Sequence, residues 1–225
     1  RSGSGALAVE LNRAGVEIAR RAVADSGRDA YVAGSVGPLG ARLRPYGPIS
    51  KEEARDAFFE QIAALAEAGA DVILMETFAD HHELLEALGA ARSAAPDLPI
   101  ITQATFAQDD RTLTGFTPAK VAYDLYRAGA DIIGVNCSGG PAQISNILQV
   151  MRSSIPTARL SAMPNAGYPE AIGGRVMYPA SADYFGDYAL TLQAIGARVI
   201  GGCCGSTPEH IAAMRRAIDA AAEGK

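Results

Sequence analysis

Two cysteines stand side by side at 203 and 204, inside Gly-Gly-Cys-Cys-Gly-Ser-Thr-Pro-Glu-His-Ile (201–211). Paired thiols can hold a soft metal ion, act as nucleophiles, or fill space as small buried hydrophobes. Neighbours on a regular strand point to opposite faces, so adjacency by itself decides nothing. Gly201, Gly202 and Gly205 permit an irregular turn, and only such a turn lets both thiols face one ion. Apolar Val199 and Ile200 precede the motif. Thr207, Pro208 and Glu209 follow it as N-cap, first helical residue and an acid at the positive helix end. The thiols therefore lie where a strand ends and a helix begins. A closed metal site here needs two further ligands.

The chain contains one other cysteine, and its surroundings repeat those of the pair. Ala68-Gly69-Ala70-Asp71-Val72-Ile73-Leu74-Met75-Glu76-Thr77 aligns without insertion with residues 128–137 and with residues 195–204. Each copy reads as the end of a helix, a glycine cap and a short apolar strand. Thr77, Cys137 and Cys204 occupy equivalent places, as do Glu76, Asn136 and Cys203. In a parallel barrel, all of these polar residues emerge at one rim.

The elements that must carry them follow from the chain in order. Residues 6–24 read as a surface helix, and 31–36 as the first strand. Arg42 and Arg44 sit in a loop broken by Pro45 and Pro48, where solvation explains two arginines without an anion. Ser50 and Glu53 form a capping box that opens a helix running to 68. After the strand 72–76, Asp80-His81-His82-Glu83 starts the next helix. Neighbouring helical histidines diverge by about 100°, which argues against a shared ion. Strands at 100–106 and 132–137 follow, with a helix from Thr117-Pro118 between them. Ser138-Gly139-Gly140 then reads as a tight turn, because it lacks the lysine and spacing of nucleotide-binding loops. A helix from Pro141 leads to a strand at 160–163. Residues 164–184 read as one long loop rich in Gly, Pro and Tyr, suited to a lid or substrate wall. A helix at 182–195, a strand at 198–202 and a helix at 208–222 complete the chain.

Six strand–helix units behind one leading helix predict an α/β fold of the TIM-type (β/α)8 barrel, with the first two strands absent from this sequence. The competing architecture, an open doubly wound sheet, would need a glycine-rich nucleotide turn that the chain lacks. With 225 residues and 48% hydrophobic content, one barrel domain over 1–225 is expected, its N-terminus incomplete and residues 1–5 a linker. A formal charge of −5 leaves no basic footprint for nucleic acid or an anionic membrane. Three cysteines, two of them adjacent, argue for a reducing, cytoplasmic setting.

Gly-Val-Asn-Cys (134–137) together with the 201–211 motif resembles the homocysteine S-methyltransferase family. Val-Ala-Gly-Ser-Val-Gly-Pro (32–38), Glu-Thr-Phe (76–78) and Pro-Asn-Ala-Gly (164–167) extend the likeness from Leu11 onward. It is most similar to the homocysteine-binding domains of cobalamin-dependent members, and to the equivalent half of bacterial fusions with methylenetetrahydrofolate reductase. The resemblance implies Zn2+ held by Cys137, Cys203 and Cys204, and Glu76 on the substrate ammonium. Ser35, Thr77 and Asn136 are the further substrate-side candidates, with Asn136 beside Glu76 in the catalytic set. The family's first strand carries an Asp-Gly-Ala-Met-Gly segment that this chain does not contain.

Three thiolates leave the fourth tetrahedral position of zinc open for a substrate thiol. A free alkyl thiol, with a pKa of about 8.5, is mostly protonated at neutral pH, and metal coordination removes that proton. The implied reaction is attack of the homocysteine sulfur on a methyl donor, giving methionine. The resemblance favours methylcobalamin on another domain over S-methylmethionine or betaine, and implies cobalamin or folate domains of a larger protein as partners. The rival readings are a catalytically idle zinc-binding barrel, and a barrel enzyme for phosphorylated or carbonyl substrates with merely packed cysteines.

Overall fold

The computed structural model describes residues 7–224, apart from the side chain of Ile172. The linker expected at residues 1–5 lies outside the described residues. In chain order, α1 (Ala8–Ser26) precedes β1 (Ala33–Val36), α2 (Lys51–Glu67), β2 (Val72–Phe78), α3 (His81–Ala94) and β3 (Ile100–Ala104). Next come α4 (Pro118–Arg127), β4 (Ile132–Cys137), α5 (Pro141–Ser154) and β5 (Leu160–Pro164). Two short strands, β6 (Glu170–Ile172) and β7 (Arg175–Met177), lead into α6 (Ala182–Ile195), β8 (Ala197–Ile200) and α7 (Pro208–Glu223). The principal sheet has the order β1-β2-β3-β4-β5-β8, with parallel pairing. This α/β alternation is that of a partial TIM barrel, as the sequence predicts.

Two features depart from expectation. Residues 164–184 are not one irregular loop: β6 and β7 pair antiparallel from Glu170↔Met177 to Ile172↔Arg175. Gly173 and Gly174 make the turn, both at positive φ (57° and 76°), as a two-residue hairpin of the I′ kind requires. The Gly-Gly between short arms is a sequence signal that the loop reading passed over. The strand expected at 100–106 also ends earlier, at Ala104, because the Phe106 amide leaves the sheet to donate to Ser138 Oγ (2.9 Å).

The chain divides into two units, Arg1–Phe78 with His82–Thr102, and Ala79–His81 with Gln103–Lys225. In the first, β1 and β2 pair in register from Ala33↔Val72 to Val36↔Met75. Helix α2 opens on the expected capping box: Glu53 N–H donates to Ser50 Oγ (3.1 Å), and Ser50 N–H to Glu53 Oε2 (2.8 Å). Phe58 and Ile62 from this helix are buried, as are Ile73, Met75 and Phe78 from β2. The rings of Phe58 and Phe78 meet at a tilt, centroids 5.8 Å apart. Asp71 locks the edge of this unit. Its carboxylate accepts from Arg20 Nη2 (2.6 Å) and from the Val32 amide (2.6 Å), and Arg20 Nε also donates to Gly69 O (3.0 Å). The Arg20 hydrogen bond, with the Val32 amide, holds the Asp71 carboxyl below its ordinary range. In the Arg42–Arg44 loop, Arg44 Nε donates to Pro48 O (3.1 Å), so that arginine serves its own turn.

In the second unit, β4 and β5 pair from Ile133↔Leu160 to Cys137↔Pro164, and β8 joins β5 with a register shift at Leu160/Ser161. Ile133, Val135, Ile144, Ile147, Leu148 and Leu160 form buried core. Gly134 faces a neighbour at close range: a Cβ built there would lie 2.1 Å from Ser161 O. Helix α4 begins as expected, with Pro118 inside the start and Thr117 Oγ1 accepting from Lys120 N–H (3.4 Å). His81, one of the tempting histidine pair, is buried and meets Asp124 (Nε2···Oδ2 2.8 Å), which also takes Lys120 Nζ at 2.6 Å. Its polar contact is thus a structural carboxylate rather than a ligand cluster.

Candidate metal centre

All three cysteines lie in the second unit, and its strand ends bring them together. Cys137 is the last residue of β4, and its φ of 59° turns the chain sharply out of the strand, with Ser138 following at 37°. The strain is held by Ser138, whose hydroxyl donates to Asn136 O (3.1 Å) and accepts from Phe106 N–H. The Asn165 amide adds a bond to Gly139 O (3.0 Å). Thr77, the counterpart of Cys137 in the repeat, has the same left-handed backbone (φ 68°). The repeat extends to the caps, since Gly69, Gly129 and Gly196 all have positive φ.

Beyond β8 the chain does not stop pairing. The Gly201 amide donates to Ala162 O (3.1 Å), the Cys203 amide to Pro164 O (2.7 Å), and the Ala166 amide to Cys204 O (2.9 Å). The Cys204 amide turns instead to the side chain of Asn165, donating to Oδ1 at 3.1 Å. These bonds produce the irregular turn that both thiols need to face one point. The three sulfurs lie within 4.8 Å of one another, with Cys137–Cys204 at 3.8 Å and Cys203–Cys204 at 4.0 Å. Tetrahedral zinc with bonds of about 2.3 Å places neighbouring sulfurs about 3.8 Å apart, so the donor set fits that ion. All three cysteines are free.

The electrostatics suit an anionic sulfur cluster. A hydrogen bond from Cys137 is the chief cause that lowers the Cys203 thiol to about 6, helped by the Cys204 amide and the Asn136 side chain. Sharing that proton with Cys203, and burial, push Cys137 upward. Asn136 is fully buried, its Nδ2 lies 3.8 Å from Cys203 Sγ, and Thr105 Oγ1 donates to Asn136 O (3.2 Å). It thus stands behind the sulfurs as a supporting residue. Tyr178 follows the hairpin with its ring against Gly205, and burial followed by the Cys204 charge raises its phenol.

Sequence reasoning missed Asn165, Tyr178 and His210. Asn165 sits in the quoted Pro-Asn-Ala-Gly, but nothing in that string says its Oδ1 meets the Cys204 amide. His210 accepts the Thr207 amide at Nδ1 (3.2 Å) and reaches Ala180 O through Nε2 (3.0 Å), tying α7 to the segment after the hairpin. Of the substrate-side candidates, Ser35 and Glu76 meet in the first unit, where Ser35 Oγ donates to Glu76 Oε1 (2.6 Å). Glu76 is half-buried, and Thr77 exposed.

Three thiols gathered where strands of a parallel α/β sheet end form a donor set that could hold a metal ion. The family profile described as Homocysteine S-methyltransferase matches residues 2–218. The chain belongs to the homocysteine S-methyltransferase family. It is 34% identical to Methionine synthase of Mycobacterium tuberculosis over 219 residues, covering 93% of this chain and 18% of that protein. Methionine synthase of Mycobacterium leprae gives 34% over 220 residues, with the same shares. The chain thus spans about a fifth of the length of these relatives. Among solved structures, the apo form of the homocysteine methyltransferase MmuM from Escherichia coli superposes with a TM-score of 0.76 at 27% identity. That match covers 96% of this chain and 76% of MmuM. The metallated form gives 0.75 at 28%, covering 94% and 72%.

Proposed function

We propose that this chain is a zinc-dependent homocysteine S-methyltransferase domain. The observation that carries the reading is the convergence of three thiols within 4.8 Å at strand ends, in a chain of this family. Cys137, Cys203 and Cys204 would hold the ion. Bound zinc supplies Lewis acidity that lowers the pKa of a substrate thiol. The chain's own residues do the rest. Asn136 and the Cys204 amide contact keep the sulfurs oriented. Glu76, aligned by Ser35, would pair with the homocysteine ammonium, and Thr77 borders that carboxylate. The homocysteine sulfur then attacks the donor methyl group, forming the new C–S bond as the donor leaves.

The proposed donor is methylcobalamin on another domain, and the partners are cobalamin or folate domains of a larger protein. The names of the mycobacterial relatives and the 18% share of their length support a multidomain setting. The free thiols support a reducing, cytoplasmic one. Among the described residues, no helix is long and apolar enough to cross a membrane.

Zinc stoichiometry and sulfur-edge and zinc-edge absorption spectra test the metal. One zinc with three cysteine sulfurs is expected, and a fourth sulfur on adding homocysteine. Single Cys→Ser changes at 137, 203 and 204 should each abolish tight zinc binding. Stoichiometric tight zinc in any one of them would overturn the three-thiolate centre. Assays with methylcobalamin, S-methylmethionine and betaine separate the donors, and no turnover with any donor leaves a zinc-binding barrel without catalysis.

A further inference from the structure

The β6–β7 hairpin stands on two legs, and each leg rests on a loop that carries a cysteine. On the entry side, Asn165 N–H donates to Gly139 O (3.0 Å), and Gly167 packs on Gly140, where an added Cβ would lie 3.2 Å from Gly167 Cα. On the exit side, the Tyr178 ring covers Gly205, next to Cys204 in the chain: a Cβ built on that glycine would sit 2.2 Å from Tyr178 Cγ. The neck between the legs joins Cys204 directly. Ala166 N–H donates to Cys204 O (2.9 Å), Asn165 Oδ1 accepts from Cys204 N–H (3.1 Å), and Ala180 N–H closes the neck on Ala166 O (2.9 Å). One side chain fastens the entry leg. Gln143, in the first turn of α5, accepts the Tyr168 hydroxyl at Oε1, while its Nε2 donates to Ala107 O (2.8 Å) and to Asp110 Oδ1 (2.8 Å). Gly139 makes room for it, because a Cβ there would lie 2.2 Å from Gln143 Oε1. The loop after β3, the Cys137 loop and the hairpin are thus tied at one amide. Beyond the neck the hairpin has little of its own: each arm is 3 residues long, and Arg175, Val176 and Met177 are exposed. So small a hairpin is not stable alone, and its legs decide whether it stays closed.

We propose that Gln143 is a positioning residue of the sulfur centre: it locks the hairpin closed across the Cys137 loop and the Cys204 turn, so that closure and metal loading favour one another. This rests on the zinc reading above. The physical reason is shared ordering. An ion held by the cysteines fixes the Cys137 loop against the Cys204 turn, and the closed hairpin fixes the same two segments through its neck. Whichever forms first has already met the entropy cost of ordering them, so the other forms more readily. The coupling is reciprocal: the factor by which metal favours closure equals the factor by which closure favours metal. Contacts that support metal ligands typically change affinity by about 10–100-fold, and the lower end applies where the ligands themselves are untouched.

Arg175 supplies the readout. Trypsin cuts after it when the hairpin opens, and cutting after exposed Arg28, in the first unit, reports opening of the chain at large. The test follows both cleavages by mass spectrometry in the 225-residue chain, with and without Zn2+, and measures zinc affinity by chelator competition. In the parent, zinc should slow cleavage after Arg175 about tenfold more than cleavage after Arg28. Gln143→Leu removes the amide, and Tyr168→Phe removes only the hydroxyl that it accepts; if one variant fails to fold, the other decides. Each should lose that extra protection and bind zinc about tenfold more weakly. A merely structural glutamine would change overall stability and leave the zinc-dependent difference between the two sites as it was. Equal protection of both sites in the parent, or parental extra protection in a folded variant, overturns the proposal while zinc still binds. A parent that takes up no zinc overturns the metal centre and this proposal together, and that result is seen before any protease is added.

Discussion

At the residue scale, the site is a set of ordinary side chains given unusual duties by where strands end. Asn165 is buried (6% exposed), and its amide oxygen is the acceptor for the Cys204 N–H. Removing it leaves a part-buried donor unpaired, which costs about 1–3 kcal/mol. Asn165→Ala should therefore lower denaturant stability by that amount and weaken zinc in a chelator competition; parental values in both would remove Asn165 from the support of the turn. Glu76 is expected to behave differently. Glu76→Gln should spare zinc while weakening homocysteine, because a charge-assisted contact of roughly 1.5–3 kcal/mol is lost. Calorimetric titration of the zinc-loaded variant against the parent checks this, and equal affinities would detach Glu76 from the substrate.

At the scale of elements, close approach and paired charges set the tolerances. Strands β4 and β5 meet at Gly134↔Ser161, where an added methyl has no room. Gly134→Ala should cost about 1–3 kcal/mol by overpacking, read from the urea midpoint. The Arg20–Asp71–Val32 lock gives a pH signature. Asp71 is more acidic folded than unfolded, so its stabilisation is complete above the unfolded value of about 3.9 and fades as pH falls through the lower folded value. Asp71 keeps 28% and Arg20 41% of the side-chain surface exposed, so solvent screening trims the gain to about 1 kcal/mol. Asp71→Asn should lose that amount at pH 7 and nearly nothing at pH 2. An equal loss at both pH values would show that packing, not charge, holds the edge.

At the scale of the molecule, β1 pairs with β2 and β8 with β5, each standing at an end of the strand order. Terminal strands have one ladder, whereas β2 to β5 have neighbours on both sides. In hydrogen exchange of this chain, amides of β1 and β8 should exchange before those of β4 and β5. Uniform protection across all six strands would mean that both ends are covered in solution.

The sequence by itself determined the alternation of elements, the helix starts and the repeat. Those features depend on local chemistry: Ser50 with Glu53 caps a helix wherever it folds, and Pro118, Pro141 and Pro208 fit first helical positions. The candidate cysteines were legible for a related reason, since in-phase copies of one strand–helix unit put Cys137 and Cys204 at equivalent ends. Only the tertiary structure decided what surrounds them. Asn165 reaches Cys204 across 39 residues, and Ser35 reaches Glu76 across 41. Contacts of that span are set by strand register and by the path of a turn. Tyr178 lies in a stretch that composition marked as loop, and a glycine-turned hairpin returns its ring onto Gly205, next to Cys204 in the chain. Local propensity names the parts; which side chains close on the sulfurs depends on how distant strand ends stack.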